Sequence, residues 1–389
     1  MKKPLALAAL LAASALTLTA CSGATEAEPA ASAAQTAALE PRVALTYDGG
    51  ILVLDGTTLD VEADLALAGF NRLNAAGDDS HVLVSTSDGF RVLNAQTPEL
   101  TDLTFAAPTP GHVVRHGGKT ILFSDGTGDT IVFDTDALND DALPETTVTP
   151  ALAAHHGVSI QLEDGSLLTT IGTSEGRTGV RALDADGTET ARNEECPAVH
   201  GEGTVQGEVA VFGCSDGVLI YDDGSFTKVQ AEDAYGRAGN MYVSESSPIA
   251  FADYNSDPDA EGYTLSEISL VDTVTKTARV IDLPAGIEYT WRDVARGPND
   301  EAVILGTDGA LHLLDPESGE LGASFPVIDA WQGPAEWQDA YPALVVVGDV
   351  AYVTDPAAAA IHTVDLATGA VLASATLPAV PNEIAVVTP

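Results

Sequence analysis

Eight times along this chain a short β-branched run leads into a turn, a second run ends in Asp or Asn, and another turn and run follow. The first runs lie at 43–47, 82–86, 121–124, 167–171, 209–213, 249–252, 303–306 and 350–354, so their starts are separated by 39, 39, 46, 42, 40, 54 and 47 residues. The second runs end at Asp55, Asn94, Asp134, Asp184, Asp222, Asp272, Asp315 and Asp365. A period of this length with three or four strands per unit marks a β-propeller, whose blades must stack because no single blade can bury both of its faces. Eight units predict eight blades, with seven and one degenerate unit as the alternative.

The ends of the pattern predict how the ring shuts. The first unit begins at its second strand, 43–47, and has no innermost strand, while the chain finishes on an orphan apolar run, Glu383 to Val387. Pairing of the two would complete the first blade and remove two open sheet edges. Turn chemistry agrees, since nine Asp-Gly pairs supply the positive φ that tight turns need, and no stretch carries sustained helical periodicity. With 45% hydrophobic residues beside 36 Gly and 21 Pro, the chain is too apolar for disorder and too rich in turns for a helical bundle.

The expected organisation is a signal peptide at 1–20, a tether at 21–42 and one propeller domain at 43–389. Lys2 and Lys3 precede an apolar stretch that ends in Leu18-Thr19-Ala20-Cys21, the pattern of a lipoprotein signal cleaved before an acylated cysteine. Cys21 is therefore the expected lipidation site, and the expected location is the outer face of the cell membrane. Residues 22–41 are Ala, Ser, Thr, Glu and Pro with little periodicity, as in a flexible spacer. The remaining cysteines, Cys196 and Cys214, are expected to pair in an oxidising compartment. A formal net charge of −42 argues against nucleic acid as a partner and for cations.

No nucleophile elbow, phosphate loop or dinucleotide fingerprint occurs. The histidines are the informative residues, because five of eight fall in three consecutive units: His112 and His116, His155 and His156, and His200. His112 and His200 each precede a second-strand start by nine residues, and His155 precedes one by twelve. All three positions open an innermost strand, so imidazoles of adjacent blades should converge at one mouth of the channel. Neutral imidazoles suit Zn²⁺, and Glu202 is the nearest carboxylate, as a ligand or as a hydrogen-bond partner of one. His155 and His156 should point to opposite faces, so one of them reaches the ion. His116 is expected near the outer turn and exposed; His81, His312 and His362 are read as packing or surface residues.

The segments "CPAVHGE", "VFGCSDGV", "HHG" and "GHVVRH" on a lipoprotein propeller resemble the AztD-type zinc metallochaperones over about residues 43–389. The resemblance implies a propeller that holds zinc outside the cytoplasmic membrane and passes it to the solute-binding protein of a zinc ABC importer. It implies His112, His155, His156 and His200 as the zinc-holding set and a structural disulfide between Cys196 and Cys214. The chain departs from the family's mobile, His-containing N-terminal segment, since residues 22–80 contain no His. Two other classes are compatible with a propeller: a lactonase-like or quinoprotein-like enzyme, and a metal-free surface scaffold or adhesion module.

Overall fold

Consecutive antiparallel strands joined by tight turns stay in one sheet, and seven of the eight sheets are accordingly built on four consecutive strands, the first being completed by the last strand of the chain. The computed structural model describes residues 39–260 and 262–389. The expected signal peptide, the lipidation site Cys21 and most of the tether lie outside the described residues.

Eight sheets follow one another round a central channel, which makes the fold an eight-bladed β-propeller. The blades comprise residues 42–67 with 384–387 (blade 1), 72–106 (blade 2), 110–149 (blade 3), 159–193 (blade 4), 200–230 (blade 5), 241–282 (blade 6), 294–326 (blade 7) and 344–376 (blade 8). Among the described residues the only helix is a single 3₁₀ turn, Thr135–Ala137. The ring closes as the chain ends predict: Ile384–Val387 pairs antiparallel with Arg42–Tyr47, placing Val386 opposite Val43 and Ile384 opposite Leu45.

The strand sequences explain the packing. The middle strands of a blade are pressed between two neighbours, so Gly49–Asp55 and Val350–Asp355 are apolar on both faces and almost continuously buried. Outermost strands such as Val61–Leu67 alternate between half-buried and exposed positions. The core is therefore a series of apolar layers between blades, and the layer joining blades 8 and 1 holds Leu45, Leu52, Tyr352, Ile361 and Val386. The Asp and Asn that end the second runs build the turns there: Asp55 Oδ1 accepts the Thr57 and Thr58 N–H groups, and Asp315 Oδ1 those of Glu317 and Ser318.

This topology decides where side chains meet. All innermost strands start at one rim of the ring, called here the upper rim, and end at the other. The turn between the second and third strands of a blade and the crossover to the next blade lie at the upper rim. His112 and His200 begin their strands there, whereas His116 closes its strand at the lower rim.

His116 corrects an expectation. It is buried rather than exposed, with Nε2 at 2.6 Å from Glu208 and Nδ1 at 2.9 Å from Glu245 and 2.8 Å from the Thr204 hydroxyl. The strand end curls across the channel floor to blades 5 and 6, a placement that periodicity along one strand does not reveal.

Candidate metal centre

Three imidazoles meet at the upper rim. His112, His156 and His200 form a nearly equilateral triangle, with ring centroids 5.4, 5.0 and 5.1 Å apart, and each offers a nitrogen within 4.8 Å of the other two. Each comes from a point where its sheet ladder is irregular. His112 sits in the register shift between Pro110 and Val113 of strand Pro110–His116, and His200 opens strand His200–Val205 beside the shift that follows it. His156 lies in the irregular segment before Ser159–Gln161. A bulge re-aims a side chain that a regular pleat would send elsewhere. The shift after His200 depends on Gly201, at φ +65°, where a Cβ would come within 2.7 Å of the Gly239 carbonyl.

Every ring of the triangle is oriented through Nδ1. His112 Nδ1 donates to Glu202 Oε1 at 3.1 Å, His156 Nδ1 to Asp125 Oδ2 at 2.6 Å, and His200 Nδ1 to the Gly239 carbonyl at 2.5 Å. Carboxylate and carbonyl oxygens only accept, so each Nδ1 carries a proton, and Nε2 is the nitrogen left to ligate a metal in the neutral ring. Burial holds the His200 imidazole well below the ordinary histidine range, and the facing His112 and His156 act in the same direction. It is therefore neutral and ready to ligate. Donors of this type, number and tautomer fit Zn²⁺, with a fourth position left for a further ligand.

The rest of the predicted set divides cleanly. Glu202 is the acceptor that orients His112, the place of a hydrogen-bond partner of a ligand rather than of a ligand. His155 does not belong to the triangle: it is buried against Phe123, with Nδ1 donating to the Ala153 carbonyl and Nε2 beside the Thr170 hydroxyl. Both of its nitrogens are engaged, so of the adjacent pair only His156 faces the centre. His81 and His312 are buried beside Asp78 and Asp308, and His362 bonds Ser374.

Sequence reasoning missed Asp125, Gly239 and Asp253. Asp253 is buried and accepts the backbone N–H groups of Gly239 at 2.5 Å and Asn240 at 2.8 Å, which holds the carbonyl that orients His200. Asp125 belongs to one of nine Asp-Gly pairs, and nothing in the sequence separates it from the other eight.

The expected disulfide is present. Cys196 and Cys214 are fully buried and bonded across the hairpin of blade 5, with Cα atoms 4.9 Å apart. Around them the Cys196 and Ala198 N–H groups donate to the Thr178 and Arg177 carbonyls of blade 4, and Ser215 N–H donates to the Pro197 carbonyl. The stretch that delivers His200 is thus fastened on two sides. Closing an 18-residue separation by a covalent link is worth about 3 kcal/mol in chain entropy. The Cys196→Ser/Cys214→Ser protein should lose about that much in denaturant unfolding, and the unreduced wild type should show no titratable thiol at these positions.

No family model matches the chain. It is 24% identical over 283 residues to the zinc chaperone AztD of Citrobacter koseri, an alignment that covers 70% of this chain. The chain spans 64% of that relative's length in the alignment. Among solved structures it is similar to apo AztD from Citrobacter koseri, with a TM-score of 0.72 and 20% identity, covering 89% of this chain and 97% of that one. A second crystal structure of Citrobacter koseri AztD gives a TM-score of 0.73 over the same shares. The computationally designed protein Ika8 follows at a TM-score of 0.52 and 16% identity, covering 80% of this chain.

Proposed function

We propose that this chain is an extracytoplasmic zinc carrier that holds one Zn²⁺ between His112, His156 and His200 and delivers it to the solute-binding protein of a zinc ABC importer. The observation that carries the reading is the convergence of three imidazole rings, each oriented by its own acceptor. The likeness to a protein named a zinc chaperone supports it. On this reading the lipid anchor at Cys21 keeps the propeller at the membrane, within reach of the importer.

Exposure favours carriage over permanent storage. The side chains of His112 and His156 are 20% and 40% accessible, so an incoming ligand can approach the ion from the rim. The three ligands stand on separate blades and can be replaced one at a time. A centre of three histidines with an open position also occurs in zinc hydrolases. Here, however, the two neighbouring carboxylates, Asp125 and Glu202, are committed to imidazole N–H groups, which argues for carriage over acid–base chemistry.

Chelator competition should find one tight equivalent of Zn²⁺ per chain, well above the weak, salt-sensitive binding that a charge of −42 produces by itself. Zinc-loaded protein mixed with its cognate binding protein should transfer metal faster than the ion dissociates into free chelator. Transfer no faster than dissociation would end the chaperone reading, absence of a tight site would favour the scaffold, and turnover of sugar lactones or alcohols would favour the enzyme.

A further inference from the structure

Two arginines stand beside the metal centre without an acidic partner, in a chain with 58 acidic and 16 basic residues. Arg177 opens the third strand of blade 4 at the upper rim. It clasps Ala198, two residues before His200: its carbonyl accepts the Ala198 N–H at 2.9 Å and its Nη2 donates weakly to the Ala198 carbonyl at 3.4 Å. Its Nε is a buried donor with no acceptor. Arg237 lies in the crossover from blade 5 to blade 6, two residues before Gly239, and its Nε comes within 3.5 Å of the point where a Cβ on Gly239 would stand.

Among the described residues neither guanidinium lies within 4.0 Å of a carboxylate; Arg115, Arg181, Arg279 and Arg296 share that state, whereas Arg42, Arg72, Arg91, Arg192 and Arg292 are paired. Asp125 faces Arg177, but its oxygens are taken up by the His156 ring and the Gly157 N–H; the buried Asp253 faces Arg237, but its oxygens accept from the Gly239 and Asn240 N–H groups and the Asn240 side chain. Both arginines occur in the same short pattern, Gly-Arg-x-Gly, at 176–179 and 236–239. Both arginines are half-buried at the rim.

We infer that Arg177 and Arg237 form a carboxylate-binding subsite that places one carboxylate oxygen in the fourth coordination position of the metal held by His112, His156 and His200. The inference rests on the zinc reading of the triangle. The step is a ligand exchange: a metal-bound water leaves, a carboxylate oxygen takes its place, and the second oxygen accepts from the guanidinium forks. Electrostatics agree, since burial and then the facing Arg237 disfavour the charged form of Arg177. Two like charges kept together beside a site for a dication oppose metal binding by themselves, and an anion between them turns that opposition into attraction. The bound carboxylate would be the ligand held least firmly by the protein, hence the first to leave on handover.

The test uses full-length protein loaded with Co²⁺, whose visible bands report the fourth ligand. Acetate should shift these bands saturably. In the Arg177→Ala/Arg237→Ala protein acetate affinity should fall by roughly tenfold or more, because two charge-assisted contacts are lost. Co²⁺ affinity without acetate should rise in the same variant, because two cations beside the ion are gone. Opposite movements of the two affinities cannot come from partial unfolding. If the alanine pair does not fold, Arg177→Gln/Arg237→Gln keeps the bulk without the charge and reads the same quantities.

A short acetylated peptide with one glutamate, compared with acetate, separates the sources of the carboxylate. Tighter binding of the peptide assigns the subsite to a protein side chain, and equal or weaker binding assigns it to a free anion. A wild-type spectrum indifferent to both, or acetate affinity unchanged in the variants, overturns the inference while the metal reading stands. Failure of the wild type to take up cobalt would overturn the metal reading itself.

Discussion

Replacing His200 by Ala should lower Zn²⁺ affinity by at least about 100-fold in chelator competition, since loss of an orienting partner alone costs roughly 10–100-fold and His200 is the ligand itself. His112→Ala and His156→Ala should behave alike, because the three Nε2 atoms are equivalent corners of one triangle. Melting temperature should move little in all three, as the rings hang from bulges at the rim while the blades are held by the layers between them. Two contrasts make the result specific. Glu202→Gln and Asp125→Asn should each lose affinity within the 10–100-fold range, because each weakens or misdirects one ligating ring. His155→Ala should leave zinc affinity nearly unchanged and reduce stability, because both nitrogens of that buried ring serve its own blade. Wild-type affinity in both His112→Ala and His200→Ala would place the metal elsewhere.

Glu383→Ala should be the most damaging single substitution at the closure of the ring. The Glu383 carboxylate lies 2.6 Å from Arg292 Nη2, both side chains are almost fully buried, and Arg72 stands 3.5 Å away. Its backbone N–H donates to the Thr46 hydroxyl, and its carbonyl accepts from Thr46 N–H, so it pins the last strand to the first. Removing one member of a buried ion pair leaves the other charged and uncompensated, at a cost of about 3–5 kcal/mol. For a domain of this size that is a fall in Tm of about 4–7 °C. Deleting 383–389 goes further: it strips Ile384–Val387 from Arg42–Tyr47 and opens an apolar edge to aggregation and proteolysis. An unchanged Tm after that deletion would show that the ring is held by other contacts.

The closure illustrates what can be read from one dimension. An eightfold repeat of strand, turn and strand, missing its first member at one end and carrying a spare at the other, determines both the propeller and its seam. Period and turn chemistry are local properties, and stacking of like units follows from them. For the same reason the sequence by itself pointed to the three blades whose histidines meet: His112 and His200 occupy matching places in the repeat, and matching places converge in a ring.

Tertiary structure alone decided the rest. Choosing His156 over His155 depends on which of two adjacent side chains an irregular segment turns inward, and no period describes such a segment. Glu202 orients His112 from two blades away, Asp125 and Gly239 orient the other two rings, and Asp253 holds Gly239 from below. The three pairs that orient the rings join residues 31 to 90 apart in sequence, which only the assembled blades bring together. His116 was misjudged on the same ground: a residue at the end of its own strand is exposed in that blade, yet buried once the hairpin tip of blade 5 and Glu245 of blade 6 close over it. Local chemistry fixes which strands form and how they stack, whereas the direction of a side chain at a bulge depends on contacts that exist only after the blades have met.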